Sequence, residues 1–525
     1  MCNLTPLVLT ILAPLVSAQQ DKLDDGIPAG DGNVAVFVRM TDQILKSGAD
    51  YGAYCTKHKN IKRREHRVEV IKTLRAKSDA SWKSLEKLLG ELADDIKFVQ
   101  RYWVVNGFAC LATGEACHKL AKNANVSFVY RQPRNLPALH NAPQRGRRVR
   151  QPNQGAGNKL LAKKALALLE EGAKAKFPPF DKLQPTWNIT QIKAVDAWKT
   201  GAFGQGITAA LIDSGLVVTP ALSSALWRNE KEELNGKDDD GNGFIDDLFG
   251  YDFNSNTGIS IGEPGRCHGS MCGGIIAGRP IEVDGKYLVT GVAPKSRLMV
   301  IRGMGLIKSY EYALANGADI VSMSYMWNMQ LGNWRGIYRL AHEHMTIAGV
   351  VSAGGSGNSG RAPRSRQIGL PKDIPCVIAA SGLDQNNKMP AFSSKGPCTW
   401  DGVKFYDDFP EDKPLMKPDV TTFITGYPVW TDLRRAMRGW RKVHDAGDNV
   451  GLVVGPQGNS LSGPHAGAVA ALMLSANPDL PAWRVKELMM ATCKNLGKIG
   501  HDTKFGAGAV NALAAVNAAR AAKTQ

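Results

Sequence analysis

The sequence predicts an α/β fold, a parallel sheet with helices on both faces, preceded by a small α+β unit of ferredoxin-like plan. Three observations predict it. From Trp187 onward, short β-rich apolar runs alternate with helical ones, the pattern of a parallel sheet. Before that, residues 34–131 carry the order β-α-β-β-α-β, a unit complete in itself. Between the two, residues 134–160 turn to Pro, Gly, Gln and the arginine cluster QRGRRVRQPNQGAGN, which reads as an exposed, easily cut linker.

At 525 residues the chain exceeds a single core. It begins with a short apolar run, residues 4–16, followed by Val16 and Ala18 at the −3 and −1 positions of a cleavage site. Residues 1–18 are therefore expected to be a secretory leader, although the run holds two prolines and no Lys or Arg precedes it. No later stretch is long enough to cross a membrane. The net charge of +17 raises nucleic acid as a partner, so its location matters. Residues 1–180 hold 29 Lys and Arg against 16 Asp and Glu; residues 181–525 hold 36 against 32. The excess belongs to the first third, and nucleic acid is not the expected partner. Nine cysteines fit an exported chain with some disulfides, Cys376 and Cys398 being the pair suggested by their flanking of two strands. Asn125 and Asn188 open glycosylation sequons.

Taken in order, Val34–Met40 reads as a strand and 64–89 as a long helix, with Val68, Ile71, Leu74, Leu85, Leu88 and Leu89 on apolar faces. Strands 96–105 and 107–113 meet at Asn106-Gly107, a helix follows at 115–124, and a strand at 126–131. Arg147-Arg148 in the linker is open to two readings, a processing site or a solvated basic tether. A helix at 160–177 ends at Pro178-Pro179. The larger domain supplies strands at 207–212, 298–302, 320–324, 346–352 and 376–381, with helices at 270–278, 310–316 and 336–344.

Three residues carry the chemistry. Ser460 lies in Gly458-Asn-Ser-Leu-Ser-Gly-Pro-His-Ala-Gly, just before a helix of small and apolar residues, where free N–H groups favour an anion. A serine hydroxyl needs a neighbouring base to become a nucleophile. Asp213 follows a strand at its carboxyl end, where open α/β sheets place their sites. His268 starts an apolar helix, a position that keeps imidazole neutral and suits a general base. Each has a plainer reading alone: a helix-capping serine, a turn-forming aspartate, a capping histidine.

Together, in the order Asp, His, Ser, they resemble the subtilisin-like serine proteases (subtilases, peptidase family S8), whose order of triad residues is an established template. Ala210-Leu-Ile-Asp-Ser-Gly is similar to that family's acid motif, His268-Gly-Ser with Gly274-Ile-Ile-Ala-Gly to its histidine helix, and Gly458–Gly467 to its nucleophile motif. Val350-Val-Ser-Ala-Gly-Gly-Ser-Gly-Asn-Ser-Gly is similar to the segment carrying the oxyanion asparagine, here Asn358. Further matches are Gly291-Val-Ala-Pro, Phe392-Ser-Ser-Lys-Gly-Pro and Lys417-Pro-Asp-Val. The resemblance implies that Ser460 attacks, His268 carries the proton, Asp213 orients the imidazole, and Asn358 with the Ser460 N–H binds the oxyanion. It also implies that Ser324-Tyr325-Met326 lines the substrate cleft, where Met326 replaces a common Gly and should crowd it. Ser270, Met271, Asn459 and Leu461 depart from the usual motif neighbours, but none carries a proton in the mechanism. Cys272 falls where some members of the family carry a free cysteine, implying sensitivity to mercurials; with Cys267 it matches no zinc spacing.

A second motif is Lys237-Asp-Asp-Asp-Gly-Asn-Gly-Phe-Ile-Asp-Asp. Asp238, Asp240, Asn242 and Asp246 follow the ligand rhythm of a calcium loop, without a closing Glu at position twelve. Structural Ca²⁺ is the expected cofactor, and no catalytic one. The N-terminal unit resembles the family's inhibitor-type propeptide, which implies a folding aid and cleft cover that is later cut away. The expected organisation is a leader (1–18), a propeptide (19–133), a basic linker with the processing region (134–180) and a catalytic domain (181–525). The expected function is that of a secreted serine endopeptidase made as a zymogen, a monomer whose partners are protein or peptide substrates and its own propeptide. The rival is a catalytically silent subtilase scaffold used for binding.

Overall fold

The computed structural model describes residues 22–134, 136, 139, 156–262, 267–327, 331–363 and 367–522. The expected leader and Arg147-Arg148 lie outside the described residues.

Strand β1 (Asn33–Met40) opens the N-terminal unit, followed by α1 (Gly48–Lys57), α2 (Arg63–Glu91), β2 (Ile96–Tyr102), β3 (Gly107–Thr113), α3 (Gly114–Lys122) and β4 (Val126–Arg131). The four strands form an antiparallel sheet in the order β2–β3–β1–β4. Helix α1 was not expected from the sequence. Its weak apolar patterning hides it, yet Ser47 and Asp50 close a capping box at its start. Strand β2 stops at Tyr102, three residues short of expectation, because Trp103–Asn106 turn the chain, with Asn106 at φ 34°.

Helix α4 (Ala156–Lys174) and strand β5 (Leu183–Pro185) lead into the larger domain, followed by the short helices α5 (Trp187–Gln191) and α6 (Ala194–Lys199). Next come β6 (Thr208–Ile212), α7 (Pro220–Ser223), β7 (Gly250–Asp252), α8 (His268–Ala277), β8 (Ile281–Val283), β9 (Lys286–Val289) and β10 (Arg297–Arg302). Then α9 (Ile307–Ala315), β11 (Ile320–Met323), α10 (Arg335–Ile347), β12 (Val351–Gly355), β13 (Ile378–Leu383) and β14 (Val420–Phe423) complete the main sheet. It is seven-stranded and wholly parallel, in the order β14–β13–β12–β11–β6–β10–β7. Its strands are buried on both faces, which is why they read as continuous apolar runs. The strand expected at 346–352 begins later. Thr346 and Ile347 finish α10, and Gly349, at φ 83°, makes the turn that only then releases β12.

Strands β15 (Val429–Asp432), β16 (Arg441–Asp445) and β17 (Val450–Val454) add an antiparallel sheet in the order β15–β17–β16. Helix α11 (Ser462–Ala476) is buried along nearly its whole length, with α12 (Ala482–Ala491) and α13 (Ala512–Ala521) outside it. Gly463 lets it approach the sheet: a Cβ there would lie 2.5 Å from the Gly355 nitrogen.

No disulfide joins the eight described cysteines. Cys376 and Cys398, the expected pair, are separate buried thiols set against different neighbours: Thr346 for Cys376, Asp373 and Arg335 for Cys398. Asn188 is buried and bonds His465 at 2.8 Å, a position that admits no glycan. No described helix is long and apolar enough to cross a membrane.

Candidate active site

The site forms at the carboxyl edge of the main sheet, around β6, which lies between β11 and β10. Ile212, the last residue of β6, pairs with Ile301 on one side and Met323 on the other. Asp213 therefore emerges between the ends of β10 and β11, 2 % exposed. One of its carboxylate oxygens accepts from the Ser214 N–H at 2.7 Å. The two oxygens face His268 Nδ1 at 2.9 and 3.0 Å. His268 is the first residue of α8, and that helix end is seated by backbone contact. Gly269 donates to Ser214 Oγ at 3.0 Å, and a Cβ on Gly269 would fall 2.2 Å from the Gly215 oxygen. The Asp213–His268 pair is thus seated by backbone contacts on both sides, and a proton on Nδ1 held by the carboxylate would leave Nε2 as an acceptor.

Cys272 lies one turn along α8, its sulfur 4.0 Å from His268 Nδ1 and 3.5 Å from the Ser460 carbonyl oxygen. Cys272 and the Asp213 carboxylate both favour the imidazolium, lifting the His268 pKa well above the ordinary histidine value against the opposing effect of burial. Cys267 points elsewhere, its sulfur accepting from the Asp432 N–H at 3.0 Å, so the two thiols do not face one another across the histidine.

Ser460 sits in the single turn Asn459–Leu461 that precedes α11. Its carbonyl oxygen accepts from Ser324 Oγ at 2.7 Å, and its own hydroxyl is directed to the Ser324 carbonyl at 3.4 Å rather than to the imidazole. Asn358, after β12, is oriented by its own Oδ1, which accepts from the Asn459 N–H at 2.8 Å. That bond fixes the amide flip and leaves Nδ2 as a donor near Gly458.

Ser460, Asn358, Ser324, Tyr325 and Met326 border one cavity of about 210 Å³. Met326 packs against Gly357 and its sulfur accepts from the Gly369 N–H at 3.2 Å, while Tyr325 bonds Tyr310 through the hydroxyls at 2.8 Å. The same cavity is lined by Lys372, which the sequence reading did not single out. A lone Lys among Pro and Asp in Gly369-Leu-Pro-Lys-Asp gives no sequence signal.

In the acidic loop, the carboxylates of Glu232, Asp238 and Asp240 come within 4.8 Å of one another. Glu232 was not anticipated. It is fully buried, its Oε1 accepts from the Asp239 and Asp240 N–H groups, and its Oε2 has no partner among the described residues. Burial, with Asp240 and Asp239 adding to it, raises its pKa against those backbone bonds. Of the residues expected to join this group, Asp246 instead turns one oxygen to the Asn235 and Gly236 N–H groups, and Asn242 bonds Phe244 and Asp247.

A model of the subtilase family matches residues 204–508. Subtilisin DY of Bacillus licheniformis is 28 % identical over 272 residues, covering 49 % of this chain and 81 % of its own. Bacillopeptidase F of Bacillus subtilis (strain 168) is 24 % identical over 484 residues, 86 % of this chain and 29 % of its own. Minor extracellular protease Epr of the same organism is 25 % identical over 353 residues, 65 % of this chain and 43 % of its own. The chain therefore spans most of subtilisin DY but less than half of the other two.

Proposed function

This chain belongs to the subtilase family of serine-type endopeptidases, and from that premise we propose a secreted zymogen that cuts peptide bonds through Asp213, His268 and Ser460. The observation that carries the proposal is the Asp213–His268 pair at 2.9 Å, with Cys272 touching both His268 and the Ser460 carbonyl, while Ser460 and Asn358 border one cavity. Ser460 Oγ attacks the carbonyl carbon while His268 Nε2 takes its proton. The oxyanion is held by Asn358 Nδ2 and the Ser460 N–H. His268 then returns the proton to the leaving amine, and water repeats the sequence to release the acyl group.

The N-terminal unit is proposed to be the intramolecular inhibitor, removed after folding. Its contacts support a unit docked on the larger domain. Glu311, in α9, accepts from the Trp103 and Val104 N–H groups at 2.5 and 2.9 Å. Arg63, 1 % exposed, reaches Asp319 at 2.7 Å together with the carbonyls of Gly349 and Pro478. Burial works against the Asp319 carboxylate, but Arg63 and Arg67 hold its pKa below the usual value.

Calcium is the proposed structural ion. The donor set fits, since three clustered carboxylates, one with a buried unpartnered oxygen, are all hard oxygen ligands without a Lys or Arg in contact among the described residues. Glu232, Asp238 and Asp240 would hold the ion, which supplies charge neutralisation to the loop and takes no part in the chemistry. The test of the protease reading is fluorophosphonate labelling of the processed protein, expected on Ser460 and absent in Ser460→Ala. An unlabelled wild type would favour the silent scaffold.

A further inference from the structure

Lys372 presents a buried cation to the cavity beside the nucleophile. It is 1 % exposed, it lines the same space as Ser460 and Asn358, and its Nζ has no hydrogen-bond partner among the described residues. The side chain reaches the cavity across Gly354, where a Cβ would come within 2.6 Å of Lys372 Cε, and its Nζ lies 5.0 Å from the Tyr325 ring centre. Neither nearby carboxylate hydrogen-bonds Lys372 Nζ, although one oxygen of Asp373, Oδ1, is itself buried without a partner among the described residues. Asp373 binds Arg335 through Nε and Nη2 at 3.0 and 2.8 Å, and Asp213 holds His268.

An unpaired ammonium in such a place is costly. Burial pushes the Lys372 pKa down to about 7, although the Asp373 and Asp213 carboxylates pull the other way. A buried ammonium whose Nζ makes no hydrogen bond among the described residues is open to an anion that arrives. The cavity's position says what arrives. A carbonyl attacked by Ser460 and held by Asn358 belongs to the residue preceding the scissile bond, and the side chain of that residue points into the cavity these two groups border.

We propose that Lys372 sets the specificity of this protease, selecting substrates with a glutamate or aspartate immediately before the cut bond. The substrate carboxylate makes the charge-assisted bond that Nζ lacks. An uncharged isostere in the same place leaves the ammonium buried and unmatched, which is how a polar pocket discriminates strongly. The inference rests on the protease reading. It also bears on maturation: residues 116–169 contain no Asp or Glu, and the linker's Glu170 and Glu171 lie within helix α4, so the linker is a poor substrate for a second copy. A first cut there would draw on the high effective concentration of a tethered segment instead of on pocket fit.

The test is a set of peptides of identical sequence carrying Glu, Asp, Gln, Leu or Lys before a fluorogenic leaving group. They are assayed on the processed wild type, on Lys372→Met and Lys372→Ala, and on Ser460→Ala. Wild type is expected to cut the Glu peptide about 100-fold faster than the Gln peptide in kcat/KM. In Lys372→Met that ratio is expected to fall to one or below, with Leu becoming the best substrate. Because each protein is read by its own Glu/Gln ratio, partial misfolding of a variant does not mimic the result, and Lys372→Ala checks the outcome with a second side chain. A wild type that prefers Leu or Lys, or a Glu/Gln ratio unaltered by both Lys372 variants, overturns the assignment of Lys372 while Ser460-dependent cleavage leaves the protease reading standing. Absence of Ser460-dependent hydrolysis of every peptide overturns both.

Discussion

At the scale of single residues, the proposed chemistry depends on which group carries charge when. His268 acts as a base only when neutral, and Cys272 with Asp213 raises its pKa above the ordinary histidine value. Activity is therefore expected to be full at alkaline pH and lost as pH falls through a value above that of a free histidine. The acid limb of a kcat/KM profile checks this, and Cys272→Ala should move that limb to lower pH. Asp213→Asn removes the acceptor that fixes the imidazole tautomer and is expected to lower kcat by about 10⁴-fold. Asn358→Ala removes one oxyanion donor, with an expected loss in kcat of about 100–1000-fold and little change in KM. These residues stand out in the sequence because the proposed chemistry demands fixed neighbours: Ser-Gly after the acid, glycines along the histidine helix, small residues after the nucleophile. Lys372 and Glu232 were not legible. What distinguishes each is a buried polar atom without a partner, and that depends on what the fold packs around it.

At the scale of elements, two helices hold the site and both rely on glycine to do so. Helix α8 meets the Asp213 turn through Gly269, and α11 meets β12 through Gly463. Gly463→Ala would force α11 off the sheet. A loss of about 1–3 kcal/mol is expected in denaturant unfolding of the inactive Ser460→Ala protein, as for other overpacked cores. The acidic loop makes the second prediction at this scale. Calcium should raise the melting temperature, a chelator should reverse that, and Glu232→Gln should weaken the response, because binding to the folded state alone stabilises by mass action. A melting temperature insensitive to calcium would remove the ion from the account. Sequence periodicity found the main strands and helices where a buried run is bounded by glycine or a charge. It failed at Thr346-Ile347, whose β-branched side chains end a helix, and at α1, whose few apolar positions form no clear stripe. It singled out Asp238 and Asp240 in the acidic loop but not Glu232, which lies outside the loop's own repeat.

At the scale of the whole molecule, the N-terminal unit is held to the larger domain by buried polar contacts as well as apolar ones. Arg63 and Arg67 share Asp319, and His344 donates from Nδ1 to the Val104 carbonyl while Nε2 accepts from the Leu45 N–H. Replacing both arginines by alanine leaves the Asp319 carboxylate without its cations. Breaking a buried pair typically costs about 3–5 kcal/mol, so this variant of the Ser460→Ala chain should lose its N-terminal unit to added protease far sooner. The sequence offers a boundary between the expected units in the change in composition at residues 134–160. The docking was not legible there, because Arg63 and Asp319 are 256 positions apart and neither has a local reason to be charged. The measurement that bears most directly on the account is incubation of the full-length chain with calcium, wild type beside Ser460→Ala, followed by gel analysis and sequencing of any new N-terminus. The account predicts that the wild type sheds its N-terminal unit within or just after the linker and the mutant stays intact. Both chains remaining full length, or both being cut alike, would contradict it.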